Sequence, residues 1–230
     1  MNFNKTIIGA NFIKRPNRFE AYVSINGIDE LVHVPNTGRC KEILIAGSRV
    51  LLRQEDNPKR KSKYDLIAAY KNHRLINIDS QIPNKVVEEA LKKKNIDKLI
   101  KYTNIQREKT FGNSRFDFKL MDNNNNVYYL EVKGVTFEEN NIAKFPDAPT
   151  ERGRKHIIEL IEAKKQGYGA GILFLIQMNG AIKFRPYDEI DEEFGRVLRL
   201  AFKKGVNIFA YECEVKEESI SLTRPLEIEL

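Results

Sequence analysis

The segment Gly169-Ala-Gly-Ile-Leu-Phe-Leu-Ile176 is the longest apolar run in this 230-residue chain. It is far shorter than the roughly 18 residues of a membrane span. From Gly171 to Ile176 it has no polar residue on either alternating face. Successive side chains of a strand point to opposite sides, so this strand must be covered on both. It predicts a mixed or parallel sheet packed between helices, that is, an α/β layer. The flanking sequence supplies the covers: a helix over 151–166 that ends at Gly167, and a second over 188–204. A hairpin strand near 181–185 and a strand over 206–213 complete the layer.

The first 80 residues carry a different pattern. Phe19, Ala21, Val23 and Ile25 alternate along one side of residues 18–25, and runs at 48–53 and 65–70 also read as strands. Turn signals separate them: Asn26-Gly27, Asn36-Thr37-Gly38, Ala46-Gly47 and Asn57-Pro58. Five or so short strands with a brief helical piece over 39–44 predict a small Greek-key barrel of the OB-fold type. After Gln81-Ile82-Pro83 the pattern becomes helical, with Asn84 as N-cap and Val86, Val87, Ala90 and Leu91 as the apolar stripe. A short helical turn over 96–102 and strands over 104–109, 114–121 and 127–132 follow. The chain therefore divides into residues 1–82, an OB-like barrel, and residues 83–230, an α/β domain.

Charge separates the same two parts. The formal net charge is +7, from 39 Lys plus Arg against 32 Asp plus Glu. Residues 1–80 hold 14 basic and 8 acidic groups, residues 81–150 hold 12 and 10, and residues 151–230 hold 13 and 14. A basic barrel is suited to a phosphate backbone, because each Lys or Arg placed on a phosphate releases a condensed counterion. With 41% hydrophobic residues the chain can bury a core, so wholesale disorder is excluded. The two cysteines, Cys40 and Cys213, exclude a disulfide scaffold, and a structural zinc site lacks its spaced ligands. The opening Met-Asn-Phe-Asn-Lys has no apolar stretch of the signal-peptide kind, which predicts a cytoplasmic protein with no membrane attachment.

The chemistry concentrates in Ser114-Arg115-Phe116-Asp117-Phe118 and, one hairpin later, Leu130-Glu131-Val132-Lys133-Gly134. Glu131 and Lys133 share a strand face, and Asp117 stands on the neighbouring strand. Two carboxylates suit a hard divalent cation such as Mg2+ or Mn2+, with Lys133 adding positive charge beside a scissile phosphate. The ordinary alternative is a cross-strand ion pair. The register decides between them. A two-residue Asn124-Asn125 turn would point Asp117 away from Glu131, so a shared site requires an odd loop or a bulge. The order helix, strand, Asp-bearing strand, Glu-x-Lys strand, helix resembles the catalytic core of the PD-(D/E)xK nucleases.

A second cluster, Phe145-Pro146-Asp147-Ala148-Pro149-Thr150-Glu151-Arg152-Gly153-Arg154-Lys155-His156, places Thr150 as an N-cap. The basic residues after it stand in the first turns, where the helix dipole disfavours cations without an anion nearby. Arg152, Arg154, Lys155 and His156 are therefore candidate phosphate ligands, with Arg115 beside Asp117; packing and Lys155–Glu159 pairing are the plainer account. A third cluster combines Arg15 and Arg18, around Pro16 and Asn17, with Arg39 and Lys41 of His33-Val34-Pro35-Asn36-Thr37-Gly38-Arg39-Cys40-Lys41-Glu42. Guanidinium groups, turn residues and Phe19 there suit backbone contact, and turn chemistry plus surface charge is the plainer account.

The strings RPNRF, HVPNTGRCKE, SRFDF, LEVKGVT and FPDAPTERGRKHIIEL closely resemble the sugar fermentation stimulation protein (SfsA) family. The resemblance implies an N-terminal OB-fold domain, a C-terminal PD-(D/E)xK nuclease-like domain, DNA binding and a regulatory role in sugar catabolism. Asp117, Glu131 and Lys133 take the nuclease-like positions. The helix-borne Glu of that superfamily falls on Glu89, with Glu88 and Glu108 as alternatives. The sequence thus predicts a protein that holds double-stranded DNA largely without sequence preference, because no recognition-helix pattern is present. Its alternative is an Mg2+-dependent DNA nuclease, with Asp117 and Glu131 as metal ligands.

Overall fold

The computed structural model describes residues 1–230. The N-terminal part is built from β1 (Ile7–Lys14), β2 (Glu20–Ile25), β3 (Ile28–His33), β4 (Arg49–Gln54), β5 (Tyr64–Lys71) and β6 (Arg74–Asn77). They form one sheet in the order β3-β2-β1-β4-β5-β6, and a parallel contact of His33 with Asp65 closes β3 onto β5. The result is an OB-like barrel. Its inward residues alternate as the sequence suggests at Ala21 and Val23, while Phe19 lies before β2 and is 54% exposed. The piece over 39–44 is a single turn rather than a helix. Ile43 and Leu44 both donate to the Cys40 carbonyl, and Cys40 stands at φ +48, which no helix continues.

The second part begins with α1 (Ile82–Lys92) and a 3-10 turn at 97–99, then β7 (Tyr102–Phe111), β8 (Ser114–Asp122) and β9 (Val127–Val135). Next come β10 (Glu138–Glu139), β11 (Ile142–Phe145), α2 (Glu151–Lys165), β12 (Gly169–Ile176) and β13 (Lys183–Pro186). The chain ends with α3 (Asp188–Lys203), β14 (Asn207–Lys216), β15 (Ser219–Pro225) and β16 (Glu227–Ile228). The main sheet runs β15-β14-β12-β9-β8-β7. β12 lies at its centre, parallel to β9 and β14, and is buried along its length after Gly169, as its composition requires. α2 carries an N-cap from Thr150, whose Oγ1 accepts from Gly153 N at 3.0 Å.

Two further elements differ from the sequence reading. β13 is not half of a hairpin: it pairs in parallel with β11 and β16 in a separate four-stranded sheet. The α1 N-cap is Gln81, with Pro83 in the first turn, so Asn84 is inside the helix. Proline is favoured at a helix start because its missing N–H is unpaired there in any case.

The two parts share their packing. Asn77 N donates to Gln177 O at 3.0 Å, and Gln177 Nε2 returns bonds to Asn77 Oδ1 and O. Lys71 and Arg74 pair with Glu138, and Arg49 with Glu217. Residues at the chain start cross over entirely: Met1 N donates to Ile220 O at 2.6 Å, and Phe3 N to Glu218 O at 2.8 Å. No helix is long and apolar enough to cross a membrane.

Candidate metal and nucleic-acid site

The hairpin between β8 and β9 determines whether a site exists. Met121 faces Val127 and Phe118 faces Leu130, so the next pair outward is Asp117 with Glu131. The turn that gives this register has three residues, Asn123-Asn124-Asn125, between Asp122 and Asn126. Asn125 takes φ +62, and Asp122 Oδ1 accepts from Asn124 N at 3.0 Å and Asn126 N at 2.9 Å. This is the odd loop that a shared site requires, with its third residue left-handed.

At Asp117 the regular ladder stops. Val132 N donates to Asp117 Oδ2 at 2.7 Å instead of to the β8 backbone. Phe118 packs in the apolar cluster under α1, whereas Phe116, two residues away, packs in the cluster under α2. Residues two apart on a regular strand share a face. β8 therefore rolls over at Asp117, and Glu108 on β7, at φ +52, marks the same irregularity on the neighbouring strand. The roll frees the Asp117 carboxylate at the point where β8 and β9 separate.

Each carboxylate is held by a different helix. Asn84 Nδ2 of α1 donates to Asp117 Oδ1 at 2.7 Å. Glu131 Oε1 bonds His156 Nδ1 of α2 and accepts from Lys133 Nζ at 2.6 Å. Burial, and then the negative charge of Glu131, push the Asp117 carboxyl up to about 6. Burial also pushes Glu131 upward, but the bond with His156 and the charge of Lys133 outweigh it, so Glu131 sits below the usual carboxylate value. Glu131 is thus ionised, and His156 Nδ1 must donate to it. Arg152 Nε lies 3.5 Å from His156 Nε2, on the other side of the ring from Glu131.

One oxygen is left over. The Glu131 side chain is 3% exposed, and its Oε2 has no hydrogen-bond partner. A buried ionised oxygen without a donor is costly unless a cation occupies its lone pairs. The donor set is hard oxygen, as Mg2+, Mn2+ or Ca2+ prefer. The residues present fit such an ion as two carboxylates, and no group of three or more His, Cys, Asp or Glu side chains is arranged to hold a metal.

The remaining residues named from the sequence are distributed unevenly. Glu89 pairs with the Met1 amino group at 2.8 Å and with Lys93, Glu88 with Lys92 and Arg107, and Glu108 with Arg115, so none of the three is bonded to Asp117. The α1 residue that reaches Asp117 is Asn84, which sequence reasoning assigned to the cap. An asparagine inside a helix is unfavourable, and that was the available signal. Arg154 is tied to Asp191, whose Oδ1 also accepts from Phe194 N just past the kink at Asp191 within α3. Lys155 Nζ donates to Asn113 O at 3.1 Å. In the α2 cluster, Arg152 is the guanidinium whose two terminal nitrogens both lack a partner within the chain, whereas Arg154 uses Nη1 on Asp191. Arg15 is likewise committed: its guanidinium donates to the carbonyls of Arg18, Asn36, Gly38 and Arg39 at 2.6–2.8 Å. Arg18, Arg39 and Lys41 have no ion-pair partner and line two connected hollows.

The larger hollow, about 700 Å³, lies between the barrel and the α/β domain. Its walls are the 36–39 segment, the 145–150 loop and the end of β9 at Gly134 and Thr136. A Cβ at Gly134 would stand 2.2 Å from Gln177 Oε1 and 2.8 Å from Pro83 Cγ. Only glycine lets the start of α1 close over the end of β9, which is what carries Asn84 to Asp117.

An OB-like barrel docked on an α/β sheet, with an Asp-bearing strand beside a Glu-x-Lys strand, defines a barrel joined to a nuclease-like domain. Family models agree with both halves: "SfsA N-terminal OB domain" matches residues 13–78 and "Sugar fermentation stimulation protein RE domain" matches residues 81–219. Sugar fermentation stimulation protein homologs of Clostridium botulinum and Clostridium perfringens are 64% and 65% identical over 230 residues, covering all of each chain. The structure of Pyrococcus furiosus SfsA in complex with Ca2+ superimposes with a TM-score of 0.90 at 27% identity, also over both full chains. This chain belongs to the sugar fermentation stimulation protein family.

Proposed function

We propose that this protein binds DNA through its phosphate backbone and hydrolyses phosphodiester bonds at the Asp117/Glu131/Lys133 site with a divalent cation. The observation that carries this reading is the unpartnered Glu131 Oε2, held beside the half-buried carboxylate of Asp117. A protein that merely used this domain as scaffold would gain nothing from two like charges that repel in a buried setting. Asp117 and Glu131 would hold the cation, which supplies Lewis acidity and positive charge at the phosphate. Mg2+ or Mn2+ is the proposed physiological ion, and a relative's structure in complex with Ca2+ supports a divalent site.

The chain's own groups then have distinct tasks. Lys133 Nζ, fixed by Glu131 Oε1, brings an ammonium to the charge that develops on the phosphate. Arg152, anchored through Nε on His156, turns its free nitrogens outward from the same carboxylate cluster and takes a neighbouring phosphate oxygen. In the net reaction a water oxygen bonds to phosphorus, the bond to one sugar oxygen breaks, and the water's proton leaves to solvent or to the departing oxygen.

Labelled DNA incubated with Mg2+ or Mn2+ tests the assignment. Wild type should cleave and Glu131→Ala should not, at unchanged secondary structure by circular dichroism. Equal cleavage by both removes this site, and cleavage by neither leaves DNA holding alone. Binding to unrelated duplexes should weaken in parallel as salt rises; a sequence preference that survives high salt contradicts backbone recognition.

A further inference from the structure

The two connected hollows start far from the carboxylates, on the barrel surface. The smaller, about 350 Å³, is lined by Phe12, Arg15, Asn17, Arg18, Arg39 and Lys41 among others. It shares Arg18, Gly38 and Arg39 with the cleft between the domains. That cleft in turn reaches Pro83 and Gly134, the residues adjoining Asn84 and Lys133. The barrel hollow thus adjoins the interdomain cleft, whose inner end lies at residues next in sequence to Asn84 and Lys133. Arg15 makes its entrance rigid. By bonding the Arg18 carbonyl and three carbonyls of the 36–39 segment, it fixes the turn before β2 against that segment, so Arg18 and Arg39 project from one lip.

Phe19 is the next residue after Arg18. Its ring is 54% exposed, while its backbone is pinned on both sides: Phe19 N donates to Asn17 Oδ1 at 2.8 Å, and Phe19 O accepts from Val34 N at 2.8 Å. A large aromatic held in water on a fixed backbone, beside unpaired guanidinium groups, is a stacking platform for a base with phosphates on either side. Duplex DNA does not suit the far end of the groove. It is a stiff rod with a persistence length of about 50 nm whose bases are already stacked, whereas the cleft runs between two domains and Glu131 is only 3% exposed. A single strand bends and can follow the groove inward.

We infer that the nucleic acid entering this site is a single strand, stacked on Phe19, carried on Arg18, Arg39 and Lys41, and fed through the cleft between the domains. The inference rests on the DNA-processing reading above and specifies its substrate. Asp147 is the one carboxylate in the cleft lining and stands against Gly38.

The test is fluorescence anisotropy of the full chain, in EDTA, with a labelled oligo-dT and a hairpin duplex. Phe19→Ala should weaken oligo-dT binding by about 5- to 100-fold, the range of one lost base stack. Phe19→Tyr should restore it, and hairpin affinity should change less than about twofold. Because the ring is exposed, the thermal midpoint of Phe19→Ala should match wild type. Unchanged oligo-dT binding in Phe19→Ala, or an equal loss for the hairpin, overturns the single-strand path while leaving DNA binding intact. If wild type binds neither probe, the functional reading fails together with this one.

Discussion

Replacing Asp117 by Asn in metal-free buffer should change stability with a sign that reverses with pH. In the folded protein the Asp117 carboxyl titrates at about 6, against 3.8 for the free side chain, because burial and the charge of Glu131 disfavour its ionised form. The folded state therefore holds this proton more tightly than the unfolded state. Its contribution is fully present below about 4 and is lost as pH rises through about 6. The interval of a little over two pH units corresponds to about 3 kcal/mol. Asparagine cannot ionise, so the stability of Asp117→Asn relative to wild type should rise by about 3 kcal/mol between pH 4 and 7.5.

A pH-independent cost opposes this. Asp117 accepts from Val132 N with one oxygen and from Asn84 Nδ2 with the other. An asparagine amide must turn its NH2 toward one of these donors, at a cost of about 1–2 kcal/mol. The variant should thus be less stable than wild type near pH 4 and more stable by roughly 1–2 kcal/mol at pH 7.5. Urea unfolding followed by far-ultraviolet circular dichroism measures this, since the chain has no tryptophan, and equal m-values ensure that the same transition is compared. Other carboxylates titrate in both proteins and cancel, except Glu131, whose relief from repulsion acts in the same direction. A difference that stays flat between pH 4 and 7.5 would refute the idea of a buried, repelled carboxylate. Adding Mg2+ or Ca2+ at pH 7.5 should then stabilise wild type more than the variant.

Two further outcomes follow from contacts around the site. Gly134→Ala drives a methyl group into Gln177 and Pro83, and Gln177 is also the bridge to Asn77 of the barrel; we expect a loss of about 1–3 kcal/mol and a lower midpoint in thermal unfolding, whereas an unchanged midpoint would mean that the approach is not tight. Arg15→Lys replaces a planar fork that satisfies four carbonyls with a single ammonium, so amide hydrogen exchange should accelerate at residues 16–19 and 36–40, at a stability cost of about 2 kcal/mol; exchange equal to wild type would show that the lip does not depend on Arg15.

Local pattern alone was enough for the elements with a strong period. The all-apolar Gly171–Ile176 could only be a doubly covered strand, and it is the central parallel strand β12. The apolar stripe of α1 and the Thr150 cap of α2 were equally local matters. β15 escaped because its alternation, with Ile220 and Leu222 inward, is short and flanked by charged residues. β13 was taken for a hairpin strand because sequence neighbours commonly pair. Its partners β11 and β16 come from distant parts of the chain.

The site shows the same division more sharply. Sequence by itself singled out Asp117, Glu131 and Lys133 as the residues proposed to do chemistry, because period two puts the last two on one face whatever the fold. It could not decide whether Asp117 joins them. Four consecutive asparagines allow a turn of either two or three residues at similar cost, and one residue of register moves a side chain to the opposite face. Packing decided it, by seating Phe118 under α1 and Phe116 under α2 and so rolling β8 at Asp117. Tertiary structure also chose Asn84 rather than a helix glutamate as the partner of Asp117, and His156 as the partner of Glu131. Those choices depend on how closely α1 and α2 approach the sheet, a distance set by Gly134, Gln177 and the apolar contacts beneath each helix. No local propensity encodes it.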